Sequence, residues 1–310
     1  MLTIEHINYF VPPEKLKIET CYEQYNITQL QAKVFSRIYG LQNIPVSTGF
    51  SMIDLLREPV VKLIEETGVN KDQIKVFIHS HTNNLIAKFG RSVIRELKES
   101  LGLKNALAFG MSLNKCASTM NALETAAILL KNHNADAKAI VVVGEKAFTP
   151  IVQVIPNVSI AADAAVALLV SLNGKDNKLV SLEMKTIGKY SKGVWMSPEE
   201  SKDFEAIYVP TICDIIYQSL RKANLTIRDI KVILPHNVNL ISWSNIIKRL
   251  NINSNKVYLK NIKRYAHCFG ADIFINYVDA KADNYISKDD YFMFVTIGLG
   301  ATFAAAVFQH

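Results

Sequence analysis

The sequence predicts an α/β protein of two similar halves, each a set of mostly parallel strands sandwiched by helices. Three observations carry this. Segments with apolar residues at helical spacing alternate with short apolar runs of strand character along the whole chain. IEETGVNKDQIKVFIHSHTNN (64–84) is echoed by LRKANLTIRDIKVILPHNVN (220–239): a charged amphipathic helix, a short turn, then a strand opening Ile-Lys-Val and ending near histidine. AADAAVALLV (161–170) is likewise echoed by GATFAAAVFQ (300–309), a small-residue strand closing each half. Ile74 and Ile230 lie 156 residues apart, and the strand-to-helix corner at Cys116 has its counterpart 151 residues on, at His267. The closing strands are offset by 139, so the spacing shrinks, as expected where the second half has shorter loops. The halves divide as residues 1–171, with the cysteine corner, and 172–310, with two histidine corners.

Each element follows in turn. In the first half helices are expected near Ser51–Thr67, Asn84–Leu101 and Ala117–Asn132, with Met120, Leu123, Ala127 and Leu130 recurring at helical spacing in the last. Strands are expected near Gln73–His79, Ala106–Leu113, read as buried, and Ala139–Gly144. In the second half, helices near Pro198–Ala223, Ile241–Leu250 and Ala271–Lys281 alternate with strands at Lys231–Leu234, Phe292–Ile297 and Thr302–Phe308. Two such halves, packed together, place a site at their seam near the carboxyl ends of strands. Cys116, His236 and His267 are expected at such ends.

Composition bounds the function. A chain of 310 residues, 49% apolar, buries a large core, and no stretch is long and clean enough to span a bilayer. The start, MLTIEHINYF, lacks the basic region and long apolar run of a signal peptide, so a cytoplasmic location is expected. Cys21, Cys116, Cys213 and Cys268 show no CxxC or metal-ligand spacing, so reduced thiols are the default. The net charge of +7 favours an acidic partner or substrate, but Lys and Arg are scattered and no nucleic-acid motif appears.

Cys116, in LNKCASTMNALETAAILLKN, stands where strand gives way to helix, beside unpaired N–H groups and the positive end of the helix dipole, which favour a thiolate nucleophile. The competing reading is a small buried hydrophobe. His236 in VILPHNVNL and His267 in IKRYAHCFGADIFINY are each explicable as satisfied structural histidines. Together, at equivalent positions of a repeated architecture, a thiol and two imidazoles make an acyl-transfer set, with imidazole N–H groups able to hold a thioester oxygen. The Gly-rich IGLGATF (297–303) adds a loop; the backbone amides of Cys116 and Leu299 would form an oxyanion hole, each donor being worth ~10²–10³ in rate.

The order NKCAS, LPHNVN, YAHCFGAD, IGLGATF resembles the thiolase-fold condensing enzymes, most closely β-ketoacyl-acyl-carrier-protein synthase III, over essentially the whole chain. The resemblance implies a thiolase fold, two duplicated halves in a layered αβαβα sandwich, and a homodimer with the sheet continued across the interface. It also implies a two-step reaction. Cys116 takes an acyl group from a thioester of coenzyme A or acyl carrier protein; a malonyl-type thioester then loses carbon dioxide and its carbanion attacks the acyl-cysteine. His236 and His267 would hold the malonyl thioester oxygen, and no metal or redox cofactor is needed. Arg37 in FSRIYGL, and Lys248 and Arg249 in NIIKRL, match positions that contact coenzyme A or the carrier protein.

The chain departs from the family in several places. His267 stands where this subgroup has asparagine, Ile241 replaces an arginine after the histidine turn, AADAAVA replaces a GDGAGA-like strand, and Leu299 replaces a glycine. The early-loop tryptophan is missing. These changes imply a specialised fatty-acid or polyketide pathway. They keep open two other readings: acyl transfer to an alcohol or amine without decarboxylation, and a non-catalytic partner subunit or acyl-binding scaffold. His79 and His81 in FIHSHTNN would share one strand face, but with no third ligand nearby a strand-end or interface position is expected rather than a metal site.

Overall fold

The computed structural model describes residues 1–88 and 90–310; Phe89, inside the expected helix Asn84–Leu101, lies outside the described residues. Among the described residues the central sheet has nine strands: β1 (Thr3–Phe10), β2 (Ile74–Ser80), β3 (Leu107–Met111), β4 (Lys138–Glu145), β5 (Ala164–Ser171), β6 (Lys178–Thr186), β7 (Ile230–Pro235), β8 (Tyr291–Gly298) and β9 (Thr302–Gln309). Their order is β7-β8-β9-β6-β1-β5-β4-β2-β3. The halves meet where β1 pairs with β6, through the single register position Thr3–Lys178.

Six helices flank these strands: α1 (Met52–Thr67), α2 (Val93–Leu101), α3 (Ser118–Leu130), α4 (Pro198–Lys222), α5 (Leu240–Leu250) and α6 (Asp272–Ala282). α1 and α2 cover one face of the first-half strands, and α3 packs on β2 to β5. α4 covers β6 and β9, while α6 packs on β7, β8 and, across the halves, β1. The alternation of strand side chains explains why these strands are apolar at nearly every position. In β4, Val141 and Val143 join the core containing α3, whereas Ile140 and Val142 join the core beneath α1 and α2. Ser51 and Ser197 start α1 and α4 with capping boxes closed by Asp54 and Glu200. No described helix is long and apolar enough to cross a membrane.

Three expectations need correction. The sheet is mixed rather than mostly parallel: β2–β3, β2–β4 and β7–β8 are parallel, but β1–β5, β4–β5, β6–β9 and β8–β9 run antiparallel. A strand that returns beside its predecessor without a crossover helix can only run back antiparallel, as β9 does after β8. β3 is shorter than Ala106–Leu113 and is an edge strand, with Leu107 56% and Leu113 94% exposed. The helix expected from Asn84 begins only at Val93; the preceding described residues carry no helix.

Candidate active site

Cys116 lies in a single 3₁₀ turn, Lys115–Ala117, that leads directly into α3. The turn is tied by Ala117 N–H donating to Asn114 O at 3.0 Å and by Asn114 N–H donating to Ser118 Oγ at 3.0 Å. Gly298, the last residue of β8, presses on it: a Cβ there would sit 1.8 Å from Asn114 O, so only glycine fits. Cys116 is nearly buried and packs on Ala161 and Phe269. Thr82 Oγ1 lies 3.4 Å from Sγ. The Thr82 loop is held in turn by buried Glu145, which accepts from the amides of Thr82 at 2.5 Å and Asn83 at 2.9 Å.

The structure brings both histidines to this corner. His267 Nε2 is 3.7 Å from Cys116 Sγ, and the His236 and His267 rings are 6.4 Å apart in a T-shaped arrangement. His236 follows β7 directly, as expected from Pro235. His267 does not end a regular strand: it follows a short helix, Lys260–Tyr265, and forms an isolated bridge to Ala161, donating to Ile160 O at 3.1 Å and accepting from Ala162 at 2.8 Å. Strand-to-strand hydrogen bonding thus anchors the imidazole beside the sulfur even without a full strand.

The two rings have opposite electrostatics. Burial opposes charge on His267, but the charge and hydrogen bond of Asp272, 2.6 Å from Nδ1, followed by Cys116, outweigh it and push the pKa up to about 10. Burial, then the charge of His267, pushes His236 down to about 3. His236 is held by Trp243 Nε1–H donating to its carbonyl at 2.9 Å, and its Nε2 lies 2.9 Å from the Tyr208 hydroxyl. Among the described residues its buried Nδ1 has no hydrogen-bond partner. One imidazole built to carry charge beside another built to stay neutral is the division of labour that acid–base sites use.

The remaining expected residues are more scattered. Leu299 follows Gly298, so its backbone adjoins the Cys116 turn, while its side chain leans toward Gly193. Arg37 is exposed and pairs with Glu19 at 3.2 Å. Lys248 and Arg249 are exposed in the last turn of α5, where positive charge suits the helix dipole. His79 and His81 lie with ring centroids 4.7 Å apart and planes tilted by 37°; His79 Nε2 donates to Gly144 O at 2.9 Å and His81 Nδ1 to Asn83 O at 2.7 Å. A cavity of about 260 Å³, lined by Tyr25, Lys146, Ala147, Gln153, Ala161 and Asp163, reaches the Ala161 wall against which Cys116 packs.

Sequence reading missed Asp272, Tyr208, Thr82 and Glu145. Asp272 left a signal, an acid in HCFGAD at the start of an apolar helix. Tyr208 left none, since it sits mid-helix in α4 and meets His236 only through packing.

Comparison with known proteins agrees with this architecture. Residues 220–310 match the family 3-oxoacyl-[acyl-carrier-protein (ACP)] synthase III C terminal. The chain is 24% identical over 275 residues to β-ketoacyl-[acyl-carrier-protein] synthase III of Acholeplasma laidlawii, covering 86% of each chain. Among solved structures it resembles the acyltransferase ChlB3, with a TM-score of 0.87, 16% identity and coverage of 99% of this chain and 97% of that one. It also resembles 3-oxoacyl-[acyl-carrier-protein] synthase III of Aquifex aeolicus, with a TM-score of 0.84, 16% identity and full coverage of both. The C-terminal family match, the end-to-end likeness to synthase III sequences and the shared fold make this chain a thiolase-fold protein that resembles the synthase III condensing enzymes, most directly over residues 220–310.

Proposed function

We propose that this enzyme loads an acyl group onto Cys116 from a thioester of coenzyme A or acyl carrier protein, then condenses it with a malonyl-type thioester. The supporting observation is the Cys116 sulfur 3.7 Å from the His267 imidazole, with His236 beside it, in a corner almost closed to water. In loading, sulfur attacks the thioester carbonyl and the donor thiol departs. In condensation, the bond to the malonyl carboxylate breaks, carbon dioxide leaves, and the carbanion attacks the acyl carbon as its bond to Cys116 breaks. His236 and His267 hold the malonyl thioester oxygen, and the Cys116 and Leu299 amides hold the developing oxyanion. No metal or redox cofactor enters this scheme.

Arg37, Lys248 and Arg249 serve as contacts for coenzyme A or an acidic carrier protein, and residues 1–171 and 172–310 are the two duplicated halves. The exposed edge strand β3 is where the sheet continues into a second copy in a homodimer. The departures at Ile241 and Leu299 favour a specialised fatty-acid or polyketide pathway.

A second reading, transfer to an alcohol or amine without decarboxylation, draws support from Tyr208: its hydroxyl already occupies the His236 nitrogen that condensation needs as a donor. Intact mass after incubation with acyl thioesters tests the first step; a chain that never gains acyl mass refutes both readings and leaves the scaffold. Carbon dioxide released from malonyl-carrier protein by the acylated enzyme supports condensation. Acylation without release from any malonyl donor, together with transfer to an alcohol or amine, supports the second.

A further inference from the structure

Asp272 is fully buried and opens α6, five residues after His267. Its oxygens accept from four donors. Oδ2 takes His267 Nδ1–H at 2.6 Å and the Asn237 backbone N–H at 2.6 Å; Oδ1 takes the Cys268 backbone N–H at 2.7 Å and the Asn237 side-chain amide at 3.3 Å. Acting as acceptor at every position, the carboxylate obliges the facing His267 Nδ1 to carry hydrogen, which turns Nε2 toward Cys116 Sγ. The same carboxylate ties down the turn after His236, because Asn237 is next in sequence and its Oδ1 is fixed by Asn276 Nδ2 at 2.9 Å.

We propose that Asp272 is the positioning residue of a Cys116–His267–Asp272 relay, orienting His267 so that Nε2 holds the Cys116 proton while sulfur attacks a thioester. The sulfur–carbon bond forms as the proton rests on Nε2. When the tetrahedral adduct collapses, the donor's carbon–sulfur bond breaks and the departing thiol takes that proton. This step rests on the acyl-enzyme reading above; the geometry of nucleophile, base and orienting carboxylate is the triad arrangement.

A merely structural Asp272 would only brace the two turns at Asn237 and Cys268. Three measurements on the full chain separate the roles. The first is the rate of Cys116 alkylation by iodoacetamide, followed by mass, which needs no acyl donor. Asp272→Asn places an NH₂ opposite His267 and selects the Nε2–H tautomer, so alkylation at neutral pH is expected to slow by about 10²-fold or more. The second is the same substitution in a His267→Asn background, where a relay residue adds no more than about twofold. The third is ¹⁵N NMR of histidine-labelled wild-type protein, in which His267 Nδ1 is expected to be protonated.

An Asp272→Asn rate within about threefold of wild type, or an equal slowing without His267, overturns the proposal. Should Asp272→Asn fail to fold, the wild-type spectrum decides alone: a bare Nδ1 on His267 refutes the relay. Because alkylation and NMR are independent of thioesters, a chain that shows the relay yet gains no acyl mass counts against the proposed function only.

Discussion

His236 and His267 are the same residue type about one ring-width apart, yet the structure drives them to opposite charge states. The consequence for stability follows from linkage. His267, raised to about 10, contributes stability that is fully present below its unfolded pKa of roughly 6.5 and is lost as pH rises through about 10. His236, lowered to about 3, acts oppositely: the unfolded chain binds a proton the folded ring refuses, so stability falls as pH drops from roughly 6.5 toward 3. The expected outcome is that the melting temperature of wild type exceeds that of His267→Asn at neutral pH, and that the gap narrows on going alkaline. A gap that widens would contradict the assignment of charge to His267. Cys116→Ala is a small change in a nearly closed apolar corner, so it should cost about 1 kcal/mol or less in stability while abolishing acyl mass gain. Denaturant unfolding and intact mass check the two halves of that statement.

Elements explain why the site survives on a divergent sequence. The Cys116 turn is held from behind by the backbone of Gly298, so β8 in the second half sets the position of the nucleophile in the first. Gly298→Ala should displace the 114–117 turn, destabilise the fold by about 1–3 kcal/mol, and slow Cys116 alkylation; an unchanged alkylation rate would show the turn to be held elsewhere. The capping box of α4 is remote from that contact. Ser197→Ala should cost about 1 kcal/mol in denaturant unfolding and leave alkylation unchanged. At this scale much was legible. α1, α4, α5 and β7 to β9 fall within one or two residues of where periodicity places them, because caps, turns and apolar spacing are local signals. β3 misled because an edge strand can be as apolar as a central one. The 84–92 stretch misled because its apolar Ile86 and Ala87 pack on the core beneath α1 and α2 without forming a helix, which begins only at Val93.

Across the whole molecule the halves are interlocked rather than merely adjacent. α6 of the second half packs on β1 of the first, Tyr9 Oη donates to Asp279 at 2.7 Å, and Asn177 Nδ2 donates to Ile4 O at 3.0 Å. The Cys116 corner itself draws on Thr82, Gly298 and His267, so neither half holds the site alone. Scanning calorimetry is therefore expected to show one cooperative transition; two separable transitions would mean that the shared contacts contribute little.

The class of fold, the duplicated pattern, and the thiol and imidazoles at the corners were readable from the amino acids alone, because those are written in spacings of two and 3.6 and in a few turn residues. The antiparallel return of β9, the meeting of Tyr208 with His236, and the place of Asp272 behind His267 emerge only in the folded chain. The reason is distance along the chain. Hydrogen-bond partners and pKa values depend on which groups end up within a few ångströms, and Cys116 and His267 are 151 residues apart while Tyr208 and His236 are 28 apart. No local pattern encodes such meetings; packing does.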